Sequence, residues 1–187
     1  KVEPAGRRRQ FRDRLVVGIA RTATHTFFRS VEVVGDPPPP GPTILAASHL
    51  NGFVDPVVLI ARLGYLPRFL AKATLWKNPA AKVALNFLRV IPVHRAADGS
   101  TAQNATMFAD ALDALGHHST LAVFAEGTTH DDPTIRPIRT GVARIALQAA
   151  GSDVVAVRVV PIGISYEDKV ALRGRVLIHH GEPIEVP

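Results

Sequence analysis

Short apolar runs, several ending in histidine, glutamate or glycine, recur along this 187-residue chain, and stretches of helical periodicity separate them. Thr43–Ala47 and Thr120–Phe124 read as buried strands. Val31–Val34, Phe69–Ala71, Arg89–Val93, Val154–Val160 and Arg175–Ile178 are further strand candidates. Helices are expected over Phe11–Ser30, from Val57 onward, from Asn78-Pro79 to Leu88, from Ser100 with Gln103 as a capping box to a stop at Gly116, and from Thr140 to Gly151. Strands alternating with helices of about ten to fifteen residues predict an α/β fold, a largely parallel central sheet flanked by helices. The length suits one domain over 31–187, preceded by a basic segment and amphipathic helix over 1–30.

In such a sheet, polar residues at strand ends are the place to look for chemistry. Ser48-His49-Leu50-Asn51-Gly52-Phe53-Val54-Asp55-Pro56 follows the first buried strand. Imidazole titrates near neutrality and can take a proton from a hydroxyl; an aspartate on its other nitrogen fixes the tautomer. His49 and Asp55 lie on opposing faces of any regular helix, so they meet only if the segment turns, and Gly52 makes a turn available. A structural reading stands beside this one: Asp55 as N-cap with Pro56 at the first helical position, and His49 as a core histidine. Arg95, after the run 89–93, is either a phosphate clamp or a solvated strand-end charge. Glu126-Gly127 is either a ligand-approach loop with a carboxylate for a substrate hydroxyl or an ordinary turn. His130-Asp131-Asp132 lacks the second spaced cluster that a metal site needs, so no metal is expected.

Twenty-two Lys and Arg against sixteen Asp and Glu give a net charge of +6, which favours anionic partners. One Trp, two Tyr and no basic–aromatic stripe argue against nucleic acid. The absence of cysteine excludes thiolate catalysis. No apolar run reaches membrane-spanning length, and no signal peptide is expected from the N-terminal pattern. Residues 1–10 read as a loose basic terminus. Phe11, Leu15, Ile19, Ala23 and Phe27 recur every fourth residue among Arg12, Arg14, Arg21 and Arg29, a stripe that packs on the domain, lies on anionic lipid, or does both.

Taken in order, the strand-end segments resemble the glycerolipid acyltransferase family, over about residues 44–184. The family's Asn-His-x4-Asp block stands here as Ser48-His49 to Asp55, one residue longer, a form that looks like the branch with fungal glycerol-3-phosphate and dihydroxyacetone-phosphate acyltransferases. Gly-x-Ile-Pro-Val-x-Arg appears as Arg89-Val90-Ile91-Pro92-Val93-His94-Arg95, and Phe-Pro-Glu-Gly-Thr as Phe124-Ala125-Glu126-Gly127-Thr128. Val160-Pro161-Ile162 matches the fourth block, an apolar strand end; Lys72 and Gly181-Glu182-Pro183-Ile184 match as well. Arg89 for Gly removes backbone freedom, and Ala125 for Pro is expected to loosen a turn.

The resemblance implies an O-acyltransferase of phospholipid biosynthesis, peripheral on the cytoplasmic face of a membrane. His49 would be the general base and Asp55 its partner; Lys72, Arg95, Glu126, Gly127 and Thr128 would bind a lysophosphatidic acid or glycerol-3-phosphate acceptor. The co-substrate would be acyl-CoA or acyl carrier protein, with no other cofactor. Phe53, Val57, Ile60 and Leu63 either line an acyl groove or form plain core. The alternative is a membrane-binding module of the same fold without activity.

Overall fold

The computed structural model describes residues 4–94, 104–129, 134–152, 156–168 and 171–186. In chain order the elements are α1 (Pro4–Phe27), β1 (Ser30–Val34), β2 (Thr43–Ala47), α2 (Val54–Leu63), β3 (Arg68–Lys72), a 3-10 turn (Ala73–Lys77), α3 (Pro79–Phe87), β4 (Ile91–Val93), α4 (Asn104–Gly116), β5 (Leu121–Phe124), α5 (Gly141–Ala150), β6 (Arg158–Tyr166), β7 (Arg175–His180) and β8 (Ile184–Glu185). The strands form one sheet in the order β1-β7-β6-β2-β5-β3-β4, with β8 beside β6. From β6 to β4 every neighbour is parallel, so these strands end on one shared edge. β7 reverses against β6, and β1 runs parallel to β7. The expected mixed α/β fold with a largely parallel sheet is present.

The period-2 alternation of β2 builds the two halves of the core. Leu45 joins Val17, Ala20, Val58, Leu59 and Ile162 under α1 and α2. Its neighbour Ile44 faces the other way, toward Met107, Ala111, Ile145 and Val157 under α4 and α5. Both β2 residues are fully buried.

Several boundaries differ from the sequence reading, each for a local reason. α4 ends at Gly116 as expected, but the left-handed residue that closes it is His118 (φ 52°), two positions on. The amides of Ser119 and His118 close back on Ala114 and Leu115 carbonyls. β4 begins at Ile91 because α3 ends in the same motif: Arg89 has φ 54°, Arg89 N bonds Asn86 O and Val90 N bonds Leu85 O. β6 runs through Pro161 to Tyr166, so Val160-Pro161-Ile162 is a strand interior and not a strand end. The Pro161 carbonyl accepts from Gly181 N; its ring nitrogen faces the same gap between β8 and β7, where no ladder bond is lost. The capping-box residues Ser100 and Gln103 lie outside the described residues.

α1 starts at Pro4, so most of the expected loose terminus is helical. The face it buries carries Val17, Ala20 and Thr24, with Phe28 just beyond the helix, and packs on α2. The stripe Phe11, Leu15, Ile19 and Phe27 faces outward and exposed. Small Ala20 and slim Val17 and Thr24 allow close helix–helix approach, which the bulky stripe would prevent.

The strained terminus of α3 yields a test. A left-handed L-residue costs roughly 1–2 kcal/mol, and glycine returns about 0.5–1 kcal/mol of that through chain entropy. Arg89→Gly is therefore expected to raise Tm by about 1–3 °C, since about 1 kcal/mol moves a domain of this size by roughly 2–4 °C. An unchanged or lower Tm in thermal unfolding would count against the strain.

Candidate active site

The chain leaving β2 is held on both sides before it reaches the histidine. Toward β6, Ser48 N donates to Ile162 O (2.9 Å), and the Ser48 hydroxyl accepts from Ile164 N (2.9 Å). Toward β5, His49 N donates to Glu126 Oε1 (3.0 Å), and the imidazole stacks on Phe124 at 3.9 Å between centroids, 16° from parallel. Phe124 in turn stacks on Phe69 of β3.

The turn that follows is organised by Asn51. Its side-chain Oδ1 accepts from the amides of Phe53 (3.3 Å) and Val54 (3.2 Å) at the start of α2, and its carbonyl accepts from Asp55 N. Asp55 is thus the second residue of α2, not its N-cap, and Pro56 sits in the first turn, where no helical N–H is missed. Gly52 does not adopt the left-handed conformation; a Cβ there would meet Thr129 Cγ2 only at ordinary contact, 3.5 Å.

The geometry brings His49 and Asp55 together, with Nδ1 3.0 Å from Oδ2. Asp55 is fully buried. Its Oδ2 also accepts from Asn51 N (2.8 Å), and its Oδ1 accepts from the Tyr166 hydroxyl (2.5 Å). With the Asn51 amide and the Tyr166 hydroxyl both donating to it, the Asp55 carboxylate accepts; a hydrogen on Nδ1 completes the His49 contact and leaves the Nε2 lone pair open. The His49 side chain retains 12% exposure. Burial above all, then the charge and hydrogen bond of Asp55, push the Tyr166 phenol far above its ordinary range, so it stays a donor.

Tyr166 was not a sequence candidate. The one available signal was the period-2 stripe Val160, Ile162, Ile164 and Tyr166, which puts a phenol at the end of a row facing α2.

Glu126 is a second buried carboxylate, and its oxygens hold backbone. Oε1 takes His49 N, and Oε2 takes Arg136 N (2.9 Å) from the loop that follows. It staples that loop to the end of β2. Gly127 turns the chain with φ 70°, and a Cβ there would lie 3.3 Å from Arg139 Cγ. Thr128 is half-buried, and its hydroxyl bonds Thr129 O. Ala125, expected to loosen this turn, tightens it: its N–H, which proline would lack, donates to Ala47 O at 3.0 Å and ties β5 to β2. Lys72 ends β3 on the same edge, opposite Val93 of β4. Arg95 lies outside the described residues, as do His130, Asp131 and Asp132. Before Arg95, the Asn104 side chain clamps His94 at both N (3.0 Å) and O (2.7 Å). Val57, Ile60 and Leu63 pack into the core with α1, whereas Phe53 is 80% exposed. No group of three His, Cys, Asp or Glu side chains that could hold a metal occurs among the described residues.

A buried Asp–His pair on the carboxyl edge of a parallel α/β sheet is an arrangement that can accept a proton from a hydroxyl. The chain belongs to the acyltransferase family, whose model matches residues 30–165. It is 38% identical over 84 residues to glycerol-3-phosphate O-acyltransferase 2 of Saccharomyces cerevisiae, covering 44% of this chain and 11% of that protein. It is 30% identical over 128 residues to the lyso-ornithine lipid O-acyltransferase of Brucella abortus, covering 67% of this chain and 45% of that one. The chain thus spans a small part of the yeast relative. Its fold matches the crystal structure of the 1-acyl-sn-glycerophosphate acyltransferase PlsC from Thermotoga maritima with a TM-score of 0.66 at 19% identity, over 91% of this chain and 68% of that chain.

The staple formed by Glu126 gives the second prediction. Glu126→Gln is isosteric but turns an NH2 toward a backbone N–H, leaving a buried donor unmatched at a cost of about 1–3 kcal/mol. Denaturant unfolding is expected to show that loss, with activity falling in the folded fraction as His49 loses its anchor. Wild-type stability in the variant would refute the staple.

Proposed function

We propose that this chain is an O-acyltransferase that moves a fatty acyl group from acyl-CoA or acyl carrier protein to a hydroxyl of a glycerol-phosphate-type acceptor, lysophosphatidic acid or glycerol-3-phosphate, in phospholipid synthesis. The observation that carries this reading is the 3.0 Å His49–Asp55 contact, made on a fully buried carboxylate at the edge where the parallel strands end. His49 Nε2 takes the acceptor's hydroxyl proton as that oxygen bonds to the thioester carbonyl carbon. Asp55 offsets the imidazolium charge. Collapse of the tetrahedral intermediate breaks the C–S bond, and the departing thiolate takes the proton back from Nε2, so His49 ends neutral. Acid–base catalysis of this kind supplies about 10²–10⁴-fold, with substrate positioning and oxyanion stabilisation adding the rest. No covalent acyl-enzyme is invoked: the chain has no cysteine, and the Ser48 hydroxyl next to the dyad is tied to β6 backbone.

For the acceptor's phosphate, Lys72 ends β3, two strands from β2, about 10 Å away at normal strand spacing and within reach of a long cationic side chain, and the family resemblance adds Arg95. Arg136 and Arg139 extend that positive rim. Gly127 and Thr128 shape the loop beside it; Glu126 supports the acceptor site by holding that loop. Exposed Phe53, Ile135 and Ile138 give an acyl chain an apolar border close to the dyad.

Among the described residues no helix is long and apolar enough to cross a membrane. The outward stripe of α1, with Phe11 71% and Ile19 62% exposed and Arg14 one turn from Phe11, supports peripheral attachment of the 1–30 segment to an anionic bilayer; we place it on the cytoplasmic face, next to the catalytic domain over 31–187.

Two experiments test this reading. Labelled acyl-CoA, and acyl carrier protein in parallel, is offered with glycerol-3-phosphate, dihydroxyacetone phosphate or lysophosphatidic acid. Transfer to one acceptor is expected, reduced at least about 10²-fold in His49→Ala; no transfer to any acceptor favours the inactive lipid-binding module, and activity surviving His49→Ala rejects the base. In flotation assays, Phe11→Ser with Ile19→Ser is expected to lower binding to anionic liposomes several-fold without changing Tm. Undiminished binding would remove α1 from the membrane contact.

A further inference from the structure

We propose that Tyr166 is a positioning residue of the His49–Asp55 dyad, donating to Asp55 Oδ1 so that the carboxylate presents only Oδ2 to His49. This rests on the acid–base reading above. The matched family region ends at residue 165, and none of the motifs that carry the family resemblance includes this tyrosine.

The argument starts from valence. Asp55 is fully buried, and both oxygens of a buried carboxylate need donors. Oδ2 has two, Asn51 N at 2.8 Å and His49 Nδ1 at 3.0 Å. Both come from the turn just before α2, so neither fixes the carboxylate against rotation about its own bond. Oδ1 is held from elsewhere: the Tyr166 hydroxyl reaches it at 2.5 Å from β6, 111 residues along the chain. With Tyr166 in place, carboxylate rotation breaks three hydrogen bonds together. Without it, Oδ1 is a buried acceptor with no phenol to hold it, and rotation of the carboxylate competes with the bond to His49.

Tyr166 is itself held. Its ring packs against Phe28 at the end of α1, 5.8 Å between centroids, and its backbone pairs with Val176 of β7. Among the described residues, the turn after β5 brings Glu126, engaged with the His49 backbone amide; β6 brings Tyr166; Phe28, just beyond α1, packs on the Tyr166 ring, and Arg21 of α1 reaches instead to Ala61 O at the far end of α2. Beyond Tyr166, Glu167 pairs with Arg175 on the exposed surface. The burial and anionic neighbour that keep the phenol protonated leave it a donor throughout turnover, while His49 gains and loses its proton.

The test is Tyr166→Phe, which keeps the ring and its Phe28 contact and removes only the hydroxyl. A hydrogen bond to a charged group corresponds to about ten- to a hundredfold, so kcat is expected to fall by at least about tenfold, with KM for both substrates within about twofold. The acid limb of the kcat/KM profile is expected to move to higher pH, because an Asp55 stripped of one donor holds the His49 proton more tightly. In the Asp55→Asn background Tyr166→Phe should cost almost nothing further, since Tyr166 acts through Asp55. A folded variant with unchanged kcat and an unmoved acid limb, or full additivity with Asp55→Asn, would overturn the proposal. An NMR titration of His49 in wild type and Tyr166→Phe reads the same coupling without turnover. An upward shift in the variant supports the proposal even where no acyl transfer is found; coincident titration curves reject it even where transfer is found.

Discussion

A charge taken out of water must find its donors inside the protein, and that requirement at Asp55 organises the candidate site. Desolvating a carboxylate costs several kcal/mol unless hydrogen bonds replace the lost water. Here the replacements come from the turn after β2 and from β6. They can converge only if α2 starts where Asn51 starts it, if β2 lies between β5 and β6, and if β6 continues past Pro161 as far as Tyr166. The buried charge and the strand order therefore depend on each other. A shift of β6 by one residue would turn Tyr166 to the other face of the sheet and leave Asp55 Oδ1 without its phenol.

Glu126 repeats the device one strand away. The two nearly inaccessible carboxylates end up on either side of His49: one holds its ring nitrogen, the other its backbone amide. Between them the imidazole has little freedom, and the Phe124 ring closes one of its faces. Rigid support of a base is what general-base catalysis requires, because a misplacement of about 1 Å can cost roughly a hundredfold in rate.

The parts legible in the sequence were those written in local chemistry. Apolar runs with abrupt ends gave away the strands, Asn78-Pro79 announced a helix start that its Oδ1 indeed caps, and His49 with Asp55 stood out by residue type and spacing. The parts that were not legible depend on long-range placement or on backbone exceptions. Tyr166 has no local mark; its importance arises because β6 lies beside β2, which fixes its distance to α2. Gly52 looked like the turn-maker, yet the side chain of Asn51 makes the turn, a role a bare glycine count does not show. α1 is apolar on two sides, and periodicity alone cannot say which side packs; the slimmer side does, since close approach to α2 favours small residues.

The departures from the family pattern also become intelligible in this frame. The extra residue between His49 and Asp55 falls in the segment 50–53, ahead of α2, where Asn51 folds it into a helix-entry turn. An insertion inside α2 would rotate Asp55 by about 100° around the helix and aim its carboxylate away from the imidazole; placed before the helix, it lengthens the turn and leaves the contact at 3.0 Å. Ala125, in place of proline, recovers an N–H that joins β5 to β2 directly beneath the dyad. Arg89, in place of glycine, carries a left-handed backbone at the entrance to β4, away from the histidine. The longer turn and Ala125 lie next to the His49–Asp55 pair, and there each adds a hydrogen bond or preserves one. The change that introduces strain lies on the far side of the sheet, where a loss of local stability does not pass through Asp55.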